Sequence, residues 1–208
     1  ELTKDPSGGS GFNPNLNSQK SISYEIGLKS IKPGGTELDL ALFLIQSRDE
    51  LIPFELDASP GNTFYKNAGK SLRMGFEAIT VYQPMKGIKT SFSYTYSDFK
   101  FTEFDDDGVD QSGNFIPGIP EHHLNGAFDV YSQSGWFVRG EIKYASAFFV
   151  NNENTIKNNA YTTSRFSIGR EGIWEVFRWS IFFGLKNIFN SKYQANTRIN
   201  ASSSRFFE

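Results

Sequence analysis

The sequence predicts an all-β chain folded as an antiparallel up-and-down transmembrane β-barrel, and three observations point there. Apolar and polar residues alternate with period two in eight separate runs, as in strands with one greasy and one wet face. The connections between runs are short and long by turns. The apolar parity is rich in rings, drawn from 21 Phe, 9 Tyr and 3 Trp, and several of them fall near strand ends.

Composition closes off other classes. The chain has 208 residues, 38% of them hydrophobic, and a mean hydropathy of −0.42. Its longest unbroken apolar stretch, residues 40–45, is far below the roughly 18–20 residues of a spanning helix. Aromatic richness and balanced charge exclude a disordered chain. With 21 basic and 23 acidic residues, a net charge of −2 argues against a nucleic-acid surface. Cysteine is absent, which removes disulfides, thiolate nucleophiles and Cys-held metals. The polar opening, residues 2–17, lacks the charged-then-apolar pattern of a signal sequence, so a mature chain or a fragment is expected.

The first strand covers residues 20–31, where Ile22, Tyr24, Ile26 and Leu28 interleave with Ser23, Glu25 and Gly27; Lys32-Pro33-Gly34-Gly35 ends it with turn chemistry. Leu38, Leu40, Leu42 and Leu44 mark the second. The third runs over about 70–82, with Leu72, Met74, Phe76 and Ala78 on its apolar side, and residues 83–87 turn it. Ile88, Phe92, Tyr94 and Tyr96 make the fourth; Leu124, Phe128 and Val130 make the fifth, closed by a turn at 132–135. Trp136, Val138, Ile142 and Tyr144 form the sixth, Phe166 and Ile168 the seventh, and Trp179, Ile181, Phe183 and Leu185 the eighth. Turns after strands one, three and five need about three to five residues, and the one after seven about seven. Loops after two, four and six need roughly 15–25, and outer-membrane barrels show the same inequality between their two ends.

The two parities differ sharply in charge. Even positions of 22–28, 38–44, 72–82, 88–96, 124–130, 136–144 and 164–168, with odd positions of 179–185, contain no Asp, Glu, Lys or Arg. The interleaved positions carry Glu25, Asp39, Arg73, Glu77, Lys89, Asp129, Arg139, Glu141, Lys143 and Arg165. A dry core would not tolerate so many charges, so the second face is expected to line a watered or plugged lumen. Tyr82, Trp136 and Trp179 border short turns, while Tyr96 and Tyr144 lie at the opposite strand ends. The eight steps from Trp136 to Tyr144 span about 20 Å of height in a strand tilted near 40°, close to the ~25 Å apolar band between aromatic girdles. A soluble β-sandwich, of carbohydrate-binding type, is the competing reading, because it too alternates. A complete eight-stranded barrel of adhesin or structural type is another, and it requires strand eight to pair with strand one.

Four passages resemble a known family. Asn13-Pro14-Asn15-Leu16 through Ser21-Ile22-Ser23-Tyr24-Glu25-Ile26-Gly27-Leu28-Lys29 is similar to the NPNL…S-YE-GLK passage of TonB-dependent outer-membrane receptors. Lys66-Asn67-Ala68-Gly69-Lys70, continuing to Arg73-Met74-Gly75-Phe76-Glu77, resembles their NAG…RGxE strand. Ile116-Pro117-Gly118-Ile119-Pro120-Glu121-His122 resembles their PGxPxH strand entry. Lys186-Asn187-Ile188-Phe189-Asn190-Ser191-Lys192-Tyr193 is similar to their NLFDxxY, with Ile188 and Asn190 as departures. The four occur in the family's order and cover nearly the whole chain.

The resemblance implies that residues 1–208 are a partial barrel domain: about eight strands of a roughly 22-stranded, plugged barrel, without the plug and the last strand. Arg205-Phe206-Phe207-Glu208 resembles the start of the motif that closes the last extracellular loop. The implied function is uptake of a scarce ligand, most often a ferric siderophore, across the bacterial outer membrane, with no covalent chemistry. Vitamin B12, haem, copper and oligosaccharides are the alternative cargoes. The implied partners are outer-membrane lipid, the small-molecule ligand, and the TonB energy-coupling protein through the absent N-terminal part.

No catalytic, cofactor or metal residues are expected. Asp105-Asp106-Asp107-Gly108 imitates half a calcium loop, but Asn114 stands where the bidentate Glu belongs, so a solvated acidic loop is the better reading. His122 and His123 are neighbours on a strand, so their rings point to opposite faces and do not chelate together. Glu25 and Glu77 suit charge balance on the wall, and Gly8-Gly9-Ser10-Gly11 lacks a P-loop Lys. The ligand-binding residues are unassigned. Arg48, Tyr65, Lys157, Tyr161 and Arg165 have chemistry suited to an anionic, ring-bearing chelate, yet an ordinary wall or loop role is the better reading of each, so none is taken as a site.

Overall fold

The computed structural model describes residues 5–7, 13–32, 35–56, 62–106 and 108–194. The Gly8-Gly9-Ser10-Gly11 stretch and the 205–208 ending lie outside them. Among the described residues twelve strands form: β1 (Lys20–Lys32), β2 (Thr36–Glu55), β3 (Thr63–Met85), β4 (Ile88–Glu103), β5 (Asp105–Asp106), β6 (Val109–Asp110), β7 (His122–Tyr131), β8 (Trp136–Ala145), β9 (Phe148–Phe149), β10 (Lys157–Asn158), β11 (Tyr161–Trp174) and β12 (Phe177–Lys186). Eight of them make one antiparallel sheet in the order β1-β2-β3-β4-β7-β8-β11-β12, the meander that the sequence predicts. Two small hairpins, β5–β6 and β9–β10, sit inside the long loops. The sheet leaves β1 and β12 at its two margins with no pairing between them, so the complete eight-stranded barrel is not formed.

The outer face decides between barrel wall and sandwich. Phe92, Ile142 and Ile181 are 44%, 46% and 71% exposed, with no second layer over them among the described residues, and Ile22, Ile26, Leu42, Phe128 and Phe183 share that state. Apolar rows this large and this bare need hydrocarbon, since soluble sheets bury them. The sandwich is thereby set aside.

Short turns are stitched to one another. Gly35, Gly87 and Gly135 all have positive φ, at 89°, 85° and 83°. Their carbonyls accept the backbone N–H groups of Gln83, Tyr131 and Glu171, each from the next short-turn hairpin. A Cβ on Gly135 would lie 2.1 Å from the Glu171 carbonyl oxygen, so this position requires Gly twice over, for conformation and for approach.

Two expected connections differ from what forms. The turn after the seventh predicted strand takes two residues rather than about seven, because Ile173, Trp174, Phe177 and Arg178 continue the ladder and Glu175, at φ 55°, makes the reversal. The long loop after the second predicted strand is largely strand: β2 has 20 residues and β3 has 23, paired from Thr36 opposite Tyr82 to Glu55 opposite Thr63. Twenty residues tilted near 40° rise about 50 Å, roughly twice the apolar band, so this hairpin stands well clear of the bilayer.

Above the band the inward parity reverses. On β2 the inward buried residues are Ser47 and then Glu50 and Ile52; on β3 they are Ser71 and then Phe64, and Phe101 of β4 is followed, just past the strand's end, by Phe104. Asp49 at φ 54°, Gly69, and a register shift that leaves Thr102 unpaired produce the switch together. Gly69 lets the Glu103 carbonyl approach, since a Cβ there would sit 2.2 Å from that oxygen.

Candidate ligand-facing wall and loop cap

The inner wall is ionic and internally balanced. Strand register puts Lys29 opposite Asp39, Asp129 opposite Arg139 and Glu141 opposite Arg165, with ion pairs of 3.4, 3.2 and 3.9 Å. Their side chains are about a third to two thirds exposed, so each pair contributes little to stability and chiefly makes a wettable, charge-bearing wall. Aromatic rings lie among them over glycines: Phe43 covers Gly75 and Phe137 covers Gly169, the ring filling the place a side chain would take.

Higher on the wall the groups become buried. Glu50, only 4% exposed, forms an ion pair with Arg73 and accepts a hydrogen bond from Ser71. Arg73 also lies 5.8 Å from the Phe99 ring. Above this cluster Ile52, Phe101 and Phe104 form a small dry core with Ile116 against it. Period-two counting misses the arrangement, because the parity reversal at Asp49 moves Glu50 to the side it would otherwise face away from.

The long loops then lock to one another. Asp106 pairs with Lys66 from the β2–β3 hairpin and accepts a hydrogen bond from Asn152 Nδ2 at 3.0 Å. Burial by itself raises the Asp106 carboxyl, but the bonds from Lys66 and Asn152 and the Lys66 charge outweigh it, and its pKa lies below the ordinary value. Asn114 Nδ2 donates to the Asn152 carbonyl at 2.9 Å, and Asn154 exchanges bonds with the Phe115 backbone at 2.7 and 2.9 Å. Phe115 stacks on Phe149 at 6.0 Å. Three loops thus form one cap.

Below the cap, the inner wall of β8, β11 and β12 and the segment after β12 border a groove of about 1020 Å3. Lys143, Lys157, Arg165, Lys186 and Lys192 border it, with Glu141 as the facing acid and Tyr161 stacked on Tyr193 at 5.1 Å. Lys157, Tyr161 and Arg165, all considered from sequence, therefore meet at one place. Arg48 and Tyr65 do not: Arg48 stands opposite Lys20 and Lys70 on the outward parity, and Tyr65 falls on the outward side of the raised hairpin. The acidic loop serves its own fold. Asp105 accepts from the Gly108 N–H at 2.7 Å and Asp106 belongs to the cap, while Asp107 lies outside the described residues. His122 faces outward, bonded to the Tyr94 hydroxyl at 2.9 Å and packed on Tyr96, while His123 lines the groove.

The four recognised passages are fold devices. Asn13 turns the chain by accepting from the Asn15 N–H at 3.0 Å. Asn67 Nδ2 donates to the Asn17 and Asp49 carbonyls at 3.0 and 2.7 Å, holding the parity switch. Gly118, at φ 82°, sends its N–H to the Phe149 carbonyl at 2.8 Å. Asn187 and Asn190 both adopt left-handed backbone, and Asn187 ties its side chain to both backbone groups of Ser191, at 2.9 and 3.0 Å.

Comparison with known proteins agrees. The family described as "TonB dependent receptor-like, beta-barrel" matches residues 2–188. Among solved structures, the ferric preacinetobactin receptor BauA from Acinetobacter baumannii superposes with a TM-score of 0.69 at 19% identity, covering 93% of this chain and 28% of its own. The ferric yersiniabactin uptake receptor FyuA from Yersinia pestis gives 0.64 at 19%, covering 85% and 26%. The copper transporter OprC gives 0.66 at 15%, covering 88% and 27%. The chain thus spans about a quarter of the length of these structures. The described sheet is a segment of wall from a transmembrane barrel, and the chain belongs to the TonB-dependent receptor-like β-barrel family.

Proposed function

We propose that this chain is wall and extracellular cap of a TonB-dependent receptor that takes up a ferric siderophore across the bacterial outer membrane. The observation that carries the reading is the groove beneath the cap. Lys143, Lys157, Arg165 and Lys186 surround the Tyr161–Tyr193 stack there, a cationic and aromatic setting suited to an anionic chelate bearing rings. The residues named bind and orient; none is arranged for covalent chemistry. In the whole protein the ligand enters from the long-loop side, and the plug and the energy-coupling TonB protein supply the release.

Uptake of radioactive iron presented as a ferric siderophore, in cells with and without the parent gene and with and without TonB, tests the reading. Uptake that needs both supports it. A deletion that leaves iron uptake intact but abolishes uptake of copper overturns the siderophore assignment. Arg165→Gln is expected to raise the Kd for an anionic ferric chelate about tenfold, the loss of a charge-assisted hydrogen bond.

A further inference from the structure

The lipid-facing parity carries a cation near its short-turn end. Arg170 is exposed on β11, directly opposite Trp136 of β8 and Ile181 of β12 on the outward side. Its guanidinium carbon lies 5.7 Å from the Trp136 ring, and its Nε donates to the Ser134 carbonyl at 3.3 Å. The two terminal nitrogens have no protein partner among the described residues. Beyond Arg170 the β11–β12 hairpin extends past the neighbouring turn at 132–135 and ends in bare apolar side chains: Trp174 is 72%, Phe177 66% and Val176 88% exposed. Trp174 and Phe177 face each other on the outward side, and Trp179 covers Gly172 between them and Arg170.

An arginine in the middle of the apolar band costs roughly 2–4 kcal/mol, falling to about 0–1 at the interface. Its placement beside Trp136 therefore puts the guanidinium where hydrocarbon meets headgroups. Two free, fixed N–H groups at that depth match the spacing of two phosphate oxygens, and the indoles beside them suit the same layer. We propose that Arg170, flanked by Trp136, Trp174 and Trp179, holds the phosphate of a phospholipid in the leaflet on the short-turn side. The site is continuous with the lipid-facing rows above it, and the inference rests on the membrane reading of the outer face.

Native mass spectrometry of the full-length parent protein in detergent, titrated with phosphatidylglycerol, tests it. The expected result is a retained phosphatidylglycerol whose apparent Kd rises about tenfold in Arg170→Gln and by a smaller factor in Trp174→Ala. Diacylglycerol of the same chains is expected to bind the parent no better than phosphatidylglycerol binds Arg170→Gln. Inorganic phosphate at equal concentration is expected to leave the lipid in place. Unchanged affinity in Arg170→Gln overturns the proposal, as does equal retention of diacylglycerol or displacement by inorganic phosphate. Heat-dependent mobility on SDS gels confirms that each variant is folded, and its absence from the parent would instead overturn the membrane reading.

Discussion

The two ends of this sheet are stabilised in different solvents. At the long-loop end Ile52, Phe64, Phe101, Phe104 and Phe148 are buried, and Asn and Asp side chains cross-link the loops above them. In the band below, the outward rows from Ile22 to Ile181 are bare, and the inward rows are ionic. The upper part thus has a water-excluding core of its own, like a small soluble domain. Among the described residues the lower part has no such cluster, Phe137 being buried there apart from it, and its hydrophobic stabilisation comes from lipid outside the chain. One continuous pair of strands, β2 and β3, passes through both regimes, and the parity reversal at Asp49 and Gly69 is where it changes from one to the other.

The contrast breaks most severely where the upper core is emptied. Phe101 is 1% exposed, with its ring centroid 4.7 Å from that of Phe104. Phe101→Ala is expected to cost about 3–5 kcal/mol of local stability. Hydrogen exchange should then accelerate at 104–118 and 146–158 while the band strands keep their protection. Uniform acceleration across the sheet would show that the cap and the band are one cooperative unit.

The next test separates the two faces of the band. Ile142→Arg puts a charge on the lipid side and is expected to cost about 2–4 kcal/mol. Ala127→Arg lies on the inner side opposite Glu141 and is expected to change stability by less than about 1 kcal/mol. Denaturant titration of the full protein in lipid vesicles reads both. Next below Ile142→Arg comes a short turn: Gly135→Ala strains a positive φ and presses on the Glu171 carbonyl, for about 1–3 kcal/mol. Its signature is loosened exchange at 132–135 and 171, with the cap unchanged.

Legibility followed the same division. All eight sheet strands, their order and their two faces were readable within the band, because lipid on one side and water on the other impose period two on every strand. The raised half of β2 and β3 was not. Its inward residues are Glu50, Ile52, Phe64 and Lys66, and the switch depends on left-handed backbone at the non-glycine Asp49, which no alternation rule anticipates. The turn at Glu175 escaped for the same reason, since Glu is a poor signal for positive φ. In the candidate groove, Lys157, Tyr161 and Arg165 carried suitable chemistry in the sequence. Their convergence with Lys143 and Lys186 depends on which strands become neighbours, and that is fixed by pairing rather than by spacing along the chain. The recognised motifs marked turns and staples, so they located the family without locating a ligand.

The mildest expected effect concerns the latch between the cap's loops. Lys66 and Asn152 hold the Asp106 carboxylate, and the net result is a pKa below the ordinary Asp value of about 3.9. Because the folded value is the lower one, the docked loops favour the ionised form. The contribution is therefore complete above the ordinary value and is lost as pH falls through the folded one. Between pH 7 and 5 the cap should show no change from this group, and below about pH 4 exchange at 104–118 and 146–158 should rise while the band remains protected. Asp106→Asn keeps the shape but removes the charge, costs about 1 kcal/mol, and should abolish that acid step. An acid step that persists in Asp106→Asn would assign it to another carboxylate and leave the latch without its proposed electrostatic role.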